Sequence, residues 1–219
     1  MSDAAPDTRY GSSSIARSAA LVMTMTVVSG LLGVLRNSVI ASRFGTSSDY
    51  AAYLEVVGLL AFIYRLVIGG ALGSAFIPVF TAYLARKDEA GAWKLASVIL
   101  NIALVVVLVV AGVVAWIAPW LVRFVVAPGF SPEQQALTVR LTRLLLIQPV
   151  LLGVGGLAMA ALNSFRRFTL TALAPLAYNL GIITGAYFLA PRWGIDGLVA
   201  GVWIGSALYI PDLLPGLLR

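Results

Sequence analysis

Long stretches of this chain carry no charged side chain, and they limit the possible folds more than any other feature of the sequence. Residues 18–35 and 95–119 contain no Asp, Glu, Lys or Arg. A helix of about 20 apolar residues crosses the ~30 Å hydrocarbon layer of a bilayer, and a helix satisfies its own backbone hydrogen bonds there. The sequence therefore predicts an all-α fold, namely a polytopic transmembrane helix bundle.

The composition agrees with a membrane protein and argues against an enzyme. The 219 residues are 60% hydrophobic and 11% charged, whereas about one-quarter of a soluble domain is charged. The chain contains neither histidine nor cysteine, which removes the commonest general base and metal ligand and leaves the redox compartment undetermined. No nucleotide-binding GxxxxGK[ST] loop is present. We therefore expect no catalytic site, no metal and no cofactor.

Six membrane-spanning helices are predicted after a disordered cytoplasmic tail at residues 1–14, so that residues 15–219 form one transmembrane unit. The polar loops between them contain the expected start signals of helices. An N-cap is predicted within residues 46–49, and another at Ser131, where a proline follows at the first helical position. The expected helices cover approximately residues 16–44, 51–83, 94–120, 133–163, 168–190 and 195–215.

The basic residues of the short loops predict the orientation of the chain in the membrane. Cytoplasmic loops are enriched in Lys and Arg. The loops at residues 85–87 and 165–167 each contain two basic residues, whereas the last loop on the opposite side contains Arg192 alone. This pattern predicts that both termini are cytoplasmic.

Two arginines in consecutive apolar segments indicate a polar cavity. Inserting a charged side chain into hydrocarbon costs at least ~3 kcal/mol. Arg36 is close enough to a segment end for its long stem to reach the interface, but Arg65 has apolar neighbours on both sides. If the two helices are antiparallel, the guanidinium groups differ in depth by ~10 Å. Such a step suits a path for a phosphate, which the arginine fork binds in a bidentate manner.

Other polar residues near these segments complete the predicted substrate-binding set. Asn37, Arg43 and Asp49 lie around the first interhelical turn, although helix capping alone also explains Asp49. Gln148 and Asn179 lie within apolar spans, where interhelical hydrogen bonds explain them without a ligand.

A group of small residues in the second segment predicts a bend or a close helix crossing. Glycine and proline are tolerated in membrane helices where neighbouring helices or water satisfy the freed backbone groups. The residues concerned are Gly69, Gly70, Gly73 and Pro78.

Short motifs occur in a characteristic order along almost the whole chain, from residue 18 to residue 218. They are Gly33-x-x-Arg36, Phe44-Gly45, Arg65-x-x-x-x-Gly70-Ala71-x-x-x-Phe76-x-Pro78, Tyr83, Ala127-Pro128-Gly129-Phe130, Leu162-Asn163, Arg167-Phe168, Ala174-Pro175, Asn179 and Leu214-Pro215. In this order and spacing the motifs resemble the N-terminal half of the MurJ/MviN family of lipid II flippases. This family belongs to the superfamily of multidrug, oligosaccharide-lipid and polysaccharide exporters.

The resemblance implies a function in bacterial cell wall biogenesis. Members of the family move the polyprenyl-diphosphate-linked peptidoglycan precursor, lipid II, across the inner membrane. The resemblance also implies two lobes around a cationic cavity that opens alternately to either side. Arg36 and Arg65 match arginines of that cavity and are implied to contact the diphosphate.

The sequence departs from the family pattern in charge and in length. Gly30, Tyr64 and Gly69 stand where the family usually has charged residues, which implies a less charged cavity. Family members have about fourteen helices in two lobes, so a second lobe or a partner half is expected. The other expected partners are membrane lipids, and no nucleic acid is expected. A flippase or exporter of another lipid-linked oligosaccharide and a non-transporting membrane scaffold are the alternatives.

Overall fold

The computed structural model describes residues 9–66, 79, 82–83, 85–86, 88–164 and 168–209. Every regular element in this part of the chain is helical, which confirms the predicted all-α fold. Two π-helical turns, Val122–Val126 and Gly185–Leu189, directly follow the helices Glu89–Leu121 and Phe168–Thr184. The helices are α1 (Arg9–Phe44), α2 (Ser48–Tyr64), α3 (Glu89–Leu121), α4 (Pro132–Leu145), α5 (Ile147–Ser164), α6 (Phe168–Thr184), the single turn α7 (Ala190–Trp193) and α8 (Ile195–Tyr209).

The helices have the length and the surface of a membrane bundle. Within the described residues, four stretches are long and apolar enough to span a bilayer, and the apolar helix Ile195–Tyr209 is shorter. Large apolar side chains such as Leu31, Val105 and Trp116 are exposed on α1 and α3, a surface that lipid acyl chains cover at no cost in hydrophobic free energy. The four long stretches are Met23–Phe44, Ala90–Val126, Pro132–Gly156 and Leu173–Trp193.

The predicted helix caps are present at the starts of α2 and α4. The Ser47 hydroxyl accepts a hydrogen bond from the Tyr50 amide at 3.3 Å. The Ser131 hydroxyl accepts from the Gln134 amide at 3.3 Å, and the Gln134 side-chain oxygen accepts from the Ser131 amide at 3.1 Å. This reciprocal pair is a capping box with proline at the start of the helix. Both N-cap predictions are confirmed.

Several helix boundaries differ from the limits expected from the sequence. α1 includes Arg9 to Ser14, which the sequence analysis assigned to a disordered tail of 14 residues. α3 with its π-helical turn covers Glu89 to Val126. The expected helix 133–163 is divided at Leu146, because Pro149 has no N–H to donate to a carbonyl of the preceding turn.

One apolar core joins α2, α4, α6 and α8, while α1 packs against α6 and α3 packs against α5. This core fixes the positions of α2 and α6, the two helices that matter most for the candidate site. Its most buried side chains include Val56, Leu60, Leu141, Leu145, Ile182, Leu198 and Val202.

Glycines bring α6 and α8 into backbone contact. A Cβ atom on Gly181 would overlap with the backbone of Gly205, and one on Gly185 would overlap with the backbone of Gly201. Small residues four positions apart are typical of close helix crossings in membranes. The crossing predicted at Gly69, Gly70, Gly73 and Pro78 lies outside the described residues.

Candidate substrate-binding site

Arg36 connects α1 to α6 through two side-chain amides. Its Nη1 donates to Oδ1 of Asn179 at 3.1 Å, and its Nε and Nη2 donate to Oδ1 of Asn37 at 3.2 and 3.1 Å. Asn179 is 6% exposed and donates through Nδ2 to the carbonyl of Pro175. Arg36 is therefore half-buried and contacts both the exposed Asn37 and the buried Asn179, and its hydrogen-bond acceptors are neutral. The positive charge is bound but not neutralised.

Arg65 lies on the wall of a cavity between α2, α5 and α6. It follows the last residue of α2, and its guanidinium group makes no hydrogen bond or ion pair with any described residue. The cavity has a volume of about 210 Å³. Its wall is formed by Val57, Leu60, Ala61, Tyr64, Arg65, Gln148, Pro149, Leu152 and Tyr178. A cation with free donors thus lies beside a largely apolar wall.

Gln148 and Tyr178 form a hydrogen bond on the same cavity wall. The Nε2 atom of Gln148 donates to the hydroxyl oxygen of Tyr178 at 2.6 Å, which connects α5 to α6. Tyr178 precedes Asn179, the residue that holds Arg36. Two adjacent residues of α6 therefore connect the surroundings of Arg36 with the cavity that contains Arg65.

Arg43 and Asp49 do not line this cavity. The guanidinium carbon of Arg43 lies 5.5 Å from the ring centroid of Tyr187, a cation–π geometry. Asp49 is exposed in the first turn of α2, where a negative charge is favourable to the helix dipole. The structure therefore brings Asn37 to Arg36 but leaves Arg43 and Asp49 near the turn between α1 and α2.

Two further arginines of the membrane segments have partners of their own. Arg140 forms an ion pair with Asp196 at the start of α8. The Nε atom of Arg143 donates to the carbonyl of Ala115 at 3.1 Å. That carbonyl lies four residues before Pro119, which has no N–H to bond it. These contacts give Arg140 and Arg143 a structural explanation.

The model of the family described as "Lipid II flippase MurJ" matches residues 40–218 of this chain. The chain belongs to this family. Among MurJ relatives, the lipid II flippase MurJ of Burkholderia cenocepacia is 31% identical over 202 residues, which cover 90% of this chain and 39% of that protein. The lipid II flippase MurJ of Thermosipho africanus is 30% identical over 209 residues, which cover 94% of this chain and 42% of that protein.

A solved MurJ structure has the same fold. The structure titled "Lipid II flippase MurJ, inward closed conformation" matches with a TM-score of 0.74 and 25% sequence identity. The match covers 90% of this chain and 41% of the other. The chain therefore spans about two-fifths of the length of its MurJ relatives. The resemblance found in the sequence is confirmed.

The sequence predicted part of the polar cluster around Arg36 but not the residues of the cavity wall. The interhelical hydrogen bonds expected for Gln148 and Asn179 are present. Tyr64 and Tyr178 were not predicted as wall residues, because a tyrosine in an apolar segment is also typical of a buried core. The signal that could have pointed to Tyr178 is its neighbour Asn179. Consecutive residues of a helix lie on adjoining faces, so a polar residue at 179 indicates that Tyr178 lies close to a polar face.

Proposed function

We propose that this chain is a lobe of a lipid II flippase, which moves the lipid-linked peptidoglycan precursor across the bacterial inner membrane. Membership of the MurJ family, whose relatives are named lipid II flippases, supports this proposal. A flippase translocates its substrate without changing a covalent bond, so the proposal includes no catalytic residue. In this proposal both termini are cytoplasmic, and a second lobe completes the transport path by alternating access.

One observation carries the proposal at the level of the site: the guanidinium group of Arg65, which has no partner among the described residues, lies on the wall of a cavity between membrane helices. Five N–H donors in a rigid fork match the oxygen atoms of a phosphate. The apolar remainder of the wall suits the first part of a polyprenyl chain. A phosphorylated amphiphile therefore satisfies both halves of the wall.

Arg36 and Asn37 form the second step of the proposed path. The acceptors of Arg36 are amide oxygens, and a phosphate oxygen makes a charge-assisted hydrogen bond that is about twice as strong as a neutral one. A phosphate near Arg36 would therefore displace Asn37 or Asn179 from the guanidinium group. Arg43 and Asp49 complete the path at the end of the bundle that contains the turn between α1 and α2.

Complementation with the complete protein tests the role of Arg65. We expect the Arg65→Gln variant to insert into the membrane at the parent level but to lose complementation of a strain that lacks its own lipid II flippase. Arg192→Gln is the matched control, because Arg192 is an exposed arginine of the single turn α7. Full complementation by Arg65→Gln would remove the proposed role of Arg65 and would favour a scaffold without transport.

A further inference from the structure

We infer that Tyr178 and Gln148 provide the second part of the phosphate site, across the cavity from helix α2, which contributes Arg65. This inference rests on the proposed function and adds residues to the same site. Arg65 directly follows α2, Gln148 belongs to α5 and Tyr178 to α6, and all three side chains line one cavity. The site is therefore complete only when these helices are packed as in this structure.

The hydrogen bond from Gln148 determines how the Tyr178 hydroxyl can be used. A phenol hydroxyl donates one hydrogen bond and accepts others. Its oxygen already accepts from Gln148 at 2.6 Å, whereas no described residue accepts the phenol proton. The phenol O–H of Tyr178, on the cavity wall, is therefore the donor that remains. It is available to an acceptor that enters the cavity.

The wall therefore presents one cation and one oriented hydroxyl donor to an incoming anion. Each donor type is one that phosphate oxygens accept, and each is strengthened by the low dielectric constant of a membrane interior. The cavity volume of about 210 Å³ is several times the ~30 Å³ that one water molecule occupies. It therefore has room for a phosphate group together with the first atoms of an attached chain.

The apolar part of the wall indicates which source of phosphate the cavity serves. Val57, Leu60 and Leu152 lie beside the three polar groups. A free inorganic anion gains nothing from these side chains, whereas the polyprenyl carbons next to a diphosphate are removed from water by them. The wall therefore fits a lipid phosphate ester better than a free phosphate.

Binding of three probes to the purified complete protein tests this inference. The probes are a polyprenyl diphosphate, inorganic diphosphate and phosphatidylglycerol, each titrated in the same detergent. We expect Tyr178→Phe to weaken binding of the polyprenyl diphosphate about tenfold, which corresponds to about 1.4 kcal/mol. Tyr187→Phe is the matched control, because the exposed Tyr187 ring contacts Arg43 and not the cavity, and its affinity should equal that of the parent.

Gln148 is tested as a positioning residue by a double-mutant cycle. If Gln148 acts through the Tyr178 hydroxyl, Gln148→Leu should weaken binding in the parent but not in the Tyr178→Phe background. A purely structural role would give additive losses. Gln148→Glu provides a second variant that does not depend on Tyr178→Phe folding, and its carboxylate should weaken binding of the diphosphate at least tenfold.

Each outcome has one meaning for the inference. An equal loss with inorganic diphosphate supports it, because the donors then recognise the phosphate itself. A loss with phosphatidylglycerol alone would overturn it, because the cavity would then bind a bulk-lipid headgroup. Parent affinity in both Tyr178→Phe and Gln148→Glu would overturn it while the proposed function stands, provided that Arg65→Gln still loses binding. Parent affinity in Arg65→Gln as well would contradict the proposed function itself.

Discussion

The contact between Arg36 and Asn179 shows how a guanidinium group is kept inside an apolar bundle without losing its charge. An amide oxygen satisfies a donor of the guanidinium group, while a carboxylate would also neutralise it. Asn179 is 6% exposed and its contact with Arg36 joins α1 to α6. An amide at this position therefore leaves the positive charge of Arg36 without neutralisation by Asn179, as the proposed anionic substrate requires.

Two substitutions of Asn179 separate stability from charge. Asn179→Leu leaves a donor of Arg36 without an acceptor, which we expect to cost about 1–3 kcal/mol and to lower the thermal stability of the detergent-purified protein. Asn179→Asp keeps the contact as an ion pair, so stability should be retained while transport falls. Asn101→Leu is the control, since Asn101 is exposed on α3. Parent transport in a stable Asn179→Asp variant would contradict this role of the charge.

At the residue scale, the sequence alone was enough to predict side chains whose transfer into hydrocarbon costs free energy. Arg36 and Arg65 could be predicted as polar sites because charge in an apolar segment requires compensation. That neither the guanidinium group of Arg65 nor the O–H of Tyr178 donates to any described residue could not be predicted. Both depend on which helices lie next to α2 and α6, and one sequence does not determine helix neighbours.

Helices α6 and α8 pack closely because both lack side chains at their crossing. Gly181→Ala would place a Cβ atom against the backbone of Gly205, which cannot move away like a flexible side chain. We expect the helices to separate and the protein to lose about 1–3 kcal/mol or more. Thermal unfolding in detergent measures the effect.

A glycine with open space provides the control for this prediction. Gly112 lies inside α3 and has no atom near the position of a Cβ. Gly112→Ala should be neutral or stabilising by up to about 1 kcal/mol, because alanine favours the helix. An equal effect of Gly181→Ala and Gly112→Ala would show that the close crossing does not determine stability.

At the element scale, local signals predicted the caps but not the crossing. Ser131 and the proline that follows it can be recognised as a helix start from residues only a few positions away in the sequence. The glycines at positions 181, 185, 197, 201 and 205 also show a four-residue spacing in the sequence. Spacing alone does not say which two helices meet, so the pairing of α6 with α8 required the structure.

The bundle as a whole has the helical fold expected from its apolar segments, and its orientation stays a prediction. The chain contains no cysteine, so single cysteines introduced into it can be labelled without a background from this lobe. We expect Ala85→Cys to react with an impermeant reagent from the cytoplasmic side and Gly129→Cys from the opposite side. Both positions are exposed. The reverse pattern of labelling would contradict the orientation derived from the basic loops.

At the scale of the whole molecule, the central claim is that Arg65 binds the phosphate of a lipid-linked precursor during transport. The chain spans about two-fifths of its MurJ relatives, so transport must be measured with the complete protein. The decisive measurement is the rate at which this protein, reconstituted in vesicles, translocates a polyprenyl-diphosphate-linked substrate. We predict that Arg65→Gln lowers the rate at least about tenfold, that Arg65→Lys retains part of it because a point charge replaces the fork, and that Arg192→Gln leaves it unchanged. Translocation by Arg65→Gln at the parent rate would contradict the account.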